Sequence, residues 1–217
     1  EKVTADVVAS YIHGGGRIGV LVAGNGASDD AAKEALTNIA MQIAAMNPQY
    51  ISRDEISADE LAKMKEITID SALNDPFSLP KPVLSKLIEK AVAGVWSAED
   101  VAIYEEKKSN MNFLPNFLSK EAKAQLAEIA CADKEEISGN KIFSGLVEGR
   151  ISKQMKEICL LDQGYVKAED GKQTVAAYLK SVNPALKIAK FVRFEVGEGM
   201  EKKNEDFAAE VAKQMNV

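Results

Sequence analysis

The sequence predicts an α+β fold: a small antiparallel sheet packed with helices, interrupted by a long helical hairpin insertion and followed by a C-terminal helix. Three observations carry this. Strand-like alternation is confined to the two ends, residues 7–23 and 186–196. One strongly amphipathic helix follows the first strands directly. Helical periodicity then dominates for about a hundred residues before a strand signal returns.

Val7–His13 reads as a strand, and so does Arg17–Ala23, where Ile18, Val20 and Val22 share one face. Between them stand Gly14, Gly15 and Gly16, which give the positive φ that a tight reversal needs. The next helix should run from Ser28 to Met46, with Ser28 as N-cap and Asp29 and Asp30 in the first turn. Leu36, Ile39, Ala40 and Ile43 form its apolar stripe, and Asn47-Pro48 ends it. Ser57 to Glu60 has the spacing of a capping box, and Ser97 and Ser119 mark further helix starts. Breaks fall at Asn74-Asp75-Pro76, Leu79-Pro80-Lys81-Pro82 and Met111–Pro115. Trp96, the single tryptophan, is expected in the core rather than at a partner surface. The last long helix, Lys141–Leu160, lines up Ile151, Met155 and Ile158. In the closing strand, Ile188, Val192, Phe194 and Val196 alternate with Phe191, Arg193 and Glu195. Residues 201–215 then read as an amphipathic helix with Phe207, Val211 and Met215 four apart. The expected organisation is a core subdomain in two parts, 1–56 and 157–200, an insertion at 57–156, and a C-terminal helix at 201–217.

Bulk properties exclude several functions. The chain has 217 residues, a net charge of -6 and 46% hydrophobic residues. An acidic balance argues against a nucleic-acid or anionic-membrane surface, and no apolar run is long enough to span a bilayer. One histidine, His13, cannot build a His₂ or His₃ metal site. Cys131 and Cys159 have no C-x-x-C spacing and read as two reduced, buried thiols of a cytoplasmic protein. The N-terminus has no initiating Met and no signal-like segment, so the chain reads as a piece of a longer protein.

Two glycine clusters invite a nucleotide-binding reading. Gly14–Gly19 satisfies G-x-G-x-x-G, but a strand follows it where a dinucleotide site needs a helix. Gly24-Asn25-Gly26 does run from strand to helix. Asp29 and Asp30 in that first turn would repel a phosphate, and no Walker lysine is present. No cofactor and no metal are expected.

Four segments, in order, resemble the elongation factor Ts family. They are Ser10–Val22 (SYIHGGGRIGVLV), Ile39–Pro48 (IAMQIAAMNP), Leu146–Arg150 (LVEGR) with Ile158–Gln163, and Phe191–Lys202 (FVRFEVGEGMEK) with Asp206–Val211. The resemblance covers most of the chain outside residues 70–140. It implies a translation factor that binds elongation factor Tu and promotes GDP release, with no chemistry on a substrate. The family's N-terminal helical module and its Thr-Asp-Phe-Val wedge have no counterpart in these residues, and the helical hairpin is enlarged. Gly164-Tyr165 stands where the family usually has Pro-Phe. The resemblance also implies that the Tyr-x-His-Gly segment docks on the partner's C-terminal β-barrel. His13 is then a contact at the hairpin tip, with Tyr11, Arg17 and Phe207 as further contact candidates. A homodimer through the core subdomain or the hairpin is compatible with the family. Two alternatives stay open: an interaction module with no exchange activity of its own, and a nucleotide-binding enzyme using Gly24–Gly26.

Overall fold

The computed structural model describes residues 2–198. Its chain order is β1 (Val7–His13), β2 (Ile18–Asn25), α1 (Asp30–Met46), α2 (Ala58–Asn74), α3 (Lys81–Val92), α4 (Ala98–Lys107), α5 (Lys120–Ala132), α6 (Lys134–Ser138), α7 (Lys141–Ile158), α8 (Val175–Val182) and β3 (Lys187–Glu195). This is the α+β fold that the sequence predicts. The expected C-terminal helix at 201–217, and Phe207 with it, lie outside the described residues.

The chain divides into two compact units, one of residues up to 47 together with those from 165 onward, the other of residues 48–164. In the first unit the strands form an antiparallel sheet in the order β1-β2-β3. Gly14, Gly15 and Gly16 all have positive φ (63°, 68° and 95°), so the glycine run is the reversal between β1 and β2. Strand β2 continues through Gly24 and Asn25, two residues beyond the expected Ala23, because Gly24 and Asn25 still pair with both neighbours or one of them. Val7, Ala9, Val20 and Val22 are buried on one face, and α1 contributes Leu36, Ile39, Ala40 and Ile43 to the same core. The N-cap of α1 is Asp29, whose Oδ1 accepts from Ala32 N at 2.9 Å. Asp29 displaces the expected Ser28 because a cap must stand one residue before the first helical turn, here Asp30. At the other end Asn47 adopts φ 46° and donates its N–H to Ile43 O, and Pro48 follows. Asparagine tolerates this left-handed position better than other side chains.

Strand β3 corrects one expectation. The β2–β3 register shifts between Ala23 and Gly24, so Ile188 lies opposite Gly24 while Val192 lies opposite Leu21. Ile188 is thereby moved to the face of α1, away from Val192 and Phe194.

The second unit has its own core, built on Leu73, Leu87, Ile88, Leu114, Leu126, Phe143 and Val147. Trp96 is buried within it and donates its indole N–H to Ala122 O at 2.9 Å, so the core reading of this residue holds. Ser57 and Glu60 form the expected capping box of α2. Ser97 and Ser119 cap α4 and α5. Cys159 is buried, as expected, but Cys131 is exposed on α5. The ends of this unit are tied together. Gln49 and Tyr50 donate to Ile158 O, Leu160 donates to Tyr50 O at 2.8 Å, and Leu161 donates to Ile51 O at 3.0 Å. Arg53 pairs with Asp162 at 2.6 Å beside this short parallel bridge.

One buried carboxylate joins two helix starts. Asp100 Oδ1 accepts from Ser119 N at 2.9 Å, and Oδ2 accepts from the hydroxyls of Ser97 and Ser119, each at 2.8 Å. Burial pushes its pKa up, but these donors outweigh burial and hold the carboxyl below its ordinary range. Removing it strands the Ser119 N–H and loosens both caps, so Asp100→Ala should destabilise the helical unit by about 1–3 kcal/mol. The carboxylate's contribution is complete above the ordinary carboxylate pKa and is lost as pH falls through the lowered folded value. Chemical unfolding of chain and variant at neutral and strongly acid pH should therefore show curves that converge in acid. An equal gap at both pH values would contradict this role.

Candidate functional site

The hairpin end of the sheet gathers the residues named from sequence. On the face that carries Val20 and Val22, two rows cross all three strands. Tyr11 lies opposite Val20, which lies opposite Arg193; His13 lies opposite Ile18, which lies opposite Glu195. Each edge strand contributes one polar pair two residues apart. Tyr11 Oη lies 3.0 Å from His13 Nδ1, with the ring centroids 5.9 Å apart. A neutral imidazole that accepts from Tyr11 at Nδ1 carries its proton on Nε2, free to donate outward. Arg193 Nη1 donates to Glu195 Oε2 at 2.8 Å. Between the pairs lie Ile18, partly exposed, and Val20, buried. An apolar centre with polar groups on both edges is the composition of a protein-binding patch.

His13 is exposed, Tyr11 is half-buried, and Arg17 is exposed where the glycine turn enters β2. The structure thus brings Tyr11, His13 and Arg17 to one hairpin end, while Phe207 lies outside the described residues. Arg193 and Glu195 belong to the same patch. Their alternation with Val192 and Phe194 was legible in the sequence, but not the β2–β3 register that sets them beside Val20 and Ile18.

The opposite face of the sheet carries exposed apolar side chains together with the polar Ser10 and Lys190. Ile12 is 72% exposed, Phe194 50% and Val8 43%, with Leu21 and Val192 between them. The alternation of a strand puts these residues on the side away from Val20 and Val22. Ile12, Phe194 and Val8 give this face exposed apolar surface.

The second glycine cluster has a packing role. A Cβ on Gly26, at φ 94°, would lie 2.0 Å from Ala185 O. One on Gly24 would crowd Leu36 and Leu186. The Gly26 N–H is committed to Asp6 Oδ2 at 2.9 Å, and Asp29 occupies the N-terminus of α1. With Asp29 and Asp30 in the same turn, the site disfavours a phosphate. An open cleft of about 820 Å³ in the same unit, beside the stacked Tyr165 and Tyr178, carries Glu34, Glu169 and Asp170 against Lys167 and Lys172. Lys167 donates to Asn38 Oδ1, and Asp170 accepts from the N–H groups of Lys172 and Gln173, which lower its pKa. Burial, and then Tyr178, raise the pKa of Tyr165, so its phenol stays protonated. Carboxylates outnumber cations in this cleft, which disfavours a di- or triphosphate. Among the described residues no group of three His, Cys, Asp or Glu side chains could hold a metal ion, and no helix is long and apolar enough to cross a membrane.

Residues 1–198 match the family model described as Elongation factor TS. The chain is 37% identical over 218 residues to "Elongation factor Ts" of Clostridioides difficile, covering 99% of this chain and 52% of that protein. It is 35% identical to the protein of the same name from Desulforamulus reducens, covering 97% of this chain and 72% of the relative. For Heliobacterium modesticaldum the identity is 34%, over 100% of this chain and 76% of the relative. The chain therefore spans between about half and three quarters of the length of these relatives.

The committed glycines and the acidic cleft predict that the chain binds no free nucleotide. Calorimetry with GDP or GTP at about 1 mM, where even a binding free energy near -4 kcal/mol is measurable, should give no heat beyond dilution. Saturable heat at micromolar nucleotide would contradict it.

Proposed function

The chain belongs to the elongation factor Ts family, and from that premise we propose that it binds elongation factor Tu in the cytoplasm and promotes release of GDP. Docking uses the hairpin end of the sheet, with His13, Tyr11 and Arg17 as contacts. The observation that carries this reading is the exposed His13, held by Tyr11 at a glycine hairpin in the segment that most resembles the family's docking segment. The activity is thermodynamic coupling, with no bond made or broken. A factor that loosens GDP on its partner must itself be loosened by GDP to the same degree. Each tenfold loosening needs about 1.4 kcal/mol of difference in binding between the two partner states.

Residues 1–217 contain no Thr-Asp-Phe-Val. The hairpin end supplies affinity, and a ligand shifts an equilibrium only by its difference in affinity between states. Residues 1–217 by themselves should therefore bind elongation factor Tu but speed its release of GDP less than a longer family member that carries the wedge. His13→Ala should weaken binding by about 1–2 kcal/mol while leaving the melting curve unchanged. The measurement is a titration of elongation factor Tu with and without GDP, followed by release of fluorescent GDP at saturating chain. Release as fast as with a full-length family member would show that the wedge is dispensable, and no binding at all would leave an interaction module of another kind.

A second reading, self-association, is favoured by the open sheet face of Val8, Ile12 and Phe194. Sedimentation of the free chain should give a dimer mass that falls to the monomer in Ile12→Lys/Phe194→Lys. A monomer before substitution would remove this reading.

A further inference from the structure

We propose that Arg193 is a partner-binding residue of the hairpin end, and that it recognises a carboxylate on the protein that docks there. The inference rests on the docking reading above and adds a residue and a chemistry to it.

A guanidinium has two edges on which it can grip a carboxylate through two parallel N–H donors: the end edge of Nη1 and Nη2, and the side edge of Nε and Nη2. In this chain Nη1 is taken by Glu195 Oε2 at 2.8 Å. Nε is buried and has no acceptor among the described residues. The side chain as a whole is 11% exposed and that of Glu195 is 49% exposed. So the arginine is mostly covered, one donor is satisfied by an exposed carboxylate, and the side edge is unused. A buried N–H with no partner is disfavoured, and native structures rarely leave one without a reason.

The position supplies the reason. Arg193 stands opposite Val20 in the row that begins with Tyr11, on the face that also carries His13. It lies on β3, an edge strand, so no further strand covers that side of it. Glu195 is a carboxylate already seated on the group, which shows the ligand type that fits. A partner carboxylate arriving at the β3 edge would take the side edge, through Nε and Nη2, while Glu195 keeps Nη1. The free chain thus holds a half-used fork, and docking completes it. The two polar pairs then do different work: His13 presents an imidazole ring from β1, and Arg193 presents a charged, planar, two-donor grip from β3.

The test uses the whole chain and elongation factor Tu, with affinity measured at low and high salt. Arg193→Lys keeps the charge and loses the fork; it should weaken binding about tenfold, as expected for loss of a two-point contact. Arg193→Met keeps the aliphatic cover over Val20 and loses both charge and donors. It should weaken binding by roughly 30-fold or more at low salt, with a visibly flatter salt dependence than the unmodified chain. Circular dichroism and melting should match the unmodified chain for at least the Lys variant. If the unmodified chain binds and both variants bind with the same affinity and the same salt slope, Arg193 is a structural residue and the proposal is wrong. If the unmodified chain does not bind, the docking reading fails and this inference falls with it.

Discussion

The fold depends on a closed loop. The chain leaves the sheet unit after Asn47, runs through the helical unit, and must come back to supply β3. Bringing such distant points together costs entropy that grows slowly with loop length, so the long helical excursion is tolerable provided its ends are held. The ends are held by backbone bonds. Tyr50 and Cys159 form a short parallel bridge, Leu160 and Leu161 donate to Tyr50 O and Ile51 O, and Arg53 pairs with Asp162. Burial raises the pKa of Cys159, so the residue at the bridge is an inert thiol rather than a reactive thiolate. With the excursion closed in this way, β3 meets β2 as though the intervening helices were a short connection.

What β3 adds is more than a third row of hydrogen bonds. Before it pairs, β1 and β2 are a two-stranded ribbon, which is marginal alone. Pairing carries Arg193 and Glu195 to the face of Tyr11 and His13, and puts Val192 and Phe194 on the other face beside Leu21. The two faces then have different chemistry at the same end of the sheet. One has a buried centre flanked by polar pairs; the other carries the exposed apolar Val8, Ile12 and Phe194 beside Ser10 and Lys190. The register shift at Ala23/Gly24 allows this, because it releases Ile188 to the helix-covered side before the alternation of Phe191 to Glu195 begins.

Much of the fold was legible because its signals are local. Gly14–Gly16, Ser57 with Glu60, Ser97, Ser119 and Asn47-Pro48 act within a few residues of themselves, and the elements begin and end where they stand. What escaped depends on distant partners. Asp29 and Asp30 already argue from sequence against a phosphate at Gly24–Gly26, but the packing that requires these glycines comes from Leu186 and Ala185, far along the chain. Cys131 lies in a helix whose apolar pattern does not fix which flank meets the core, and it is exposed. The candidate site divides the same way. Tyr11, His13 and Arg17 come from one continuous hairpin, whereas Arg193 and Glu195 join them only through the β2–β3 register.

This assembly bears on how a surface of this kind can act on a nucleotide it does not touch. Its own glycines are committed to packing, and the N-terminus of α1 is capped by Asp29, so on the exchange reading proposed above any influence on a nucleotide passes through a protein partner. A hairpin end alone makes the same contacts whether or not the partner holds GDP, unless the docked element changes shape between the two states. Affinity and coupling are therefore separable, and affinity is the part that a rigid, glycine-turned hairpin backed by α1 is suited to supply. Coupling requires a second contact whose strength differs between the partner's states. On the docking reading proposed above, the sheet unit would supply the first contact, and coupling would rest on a second one.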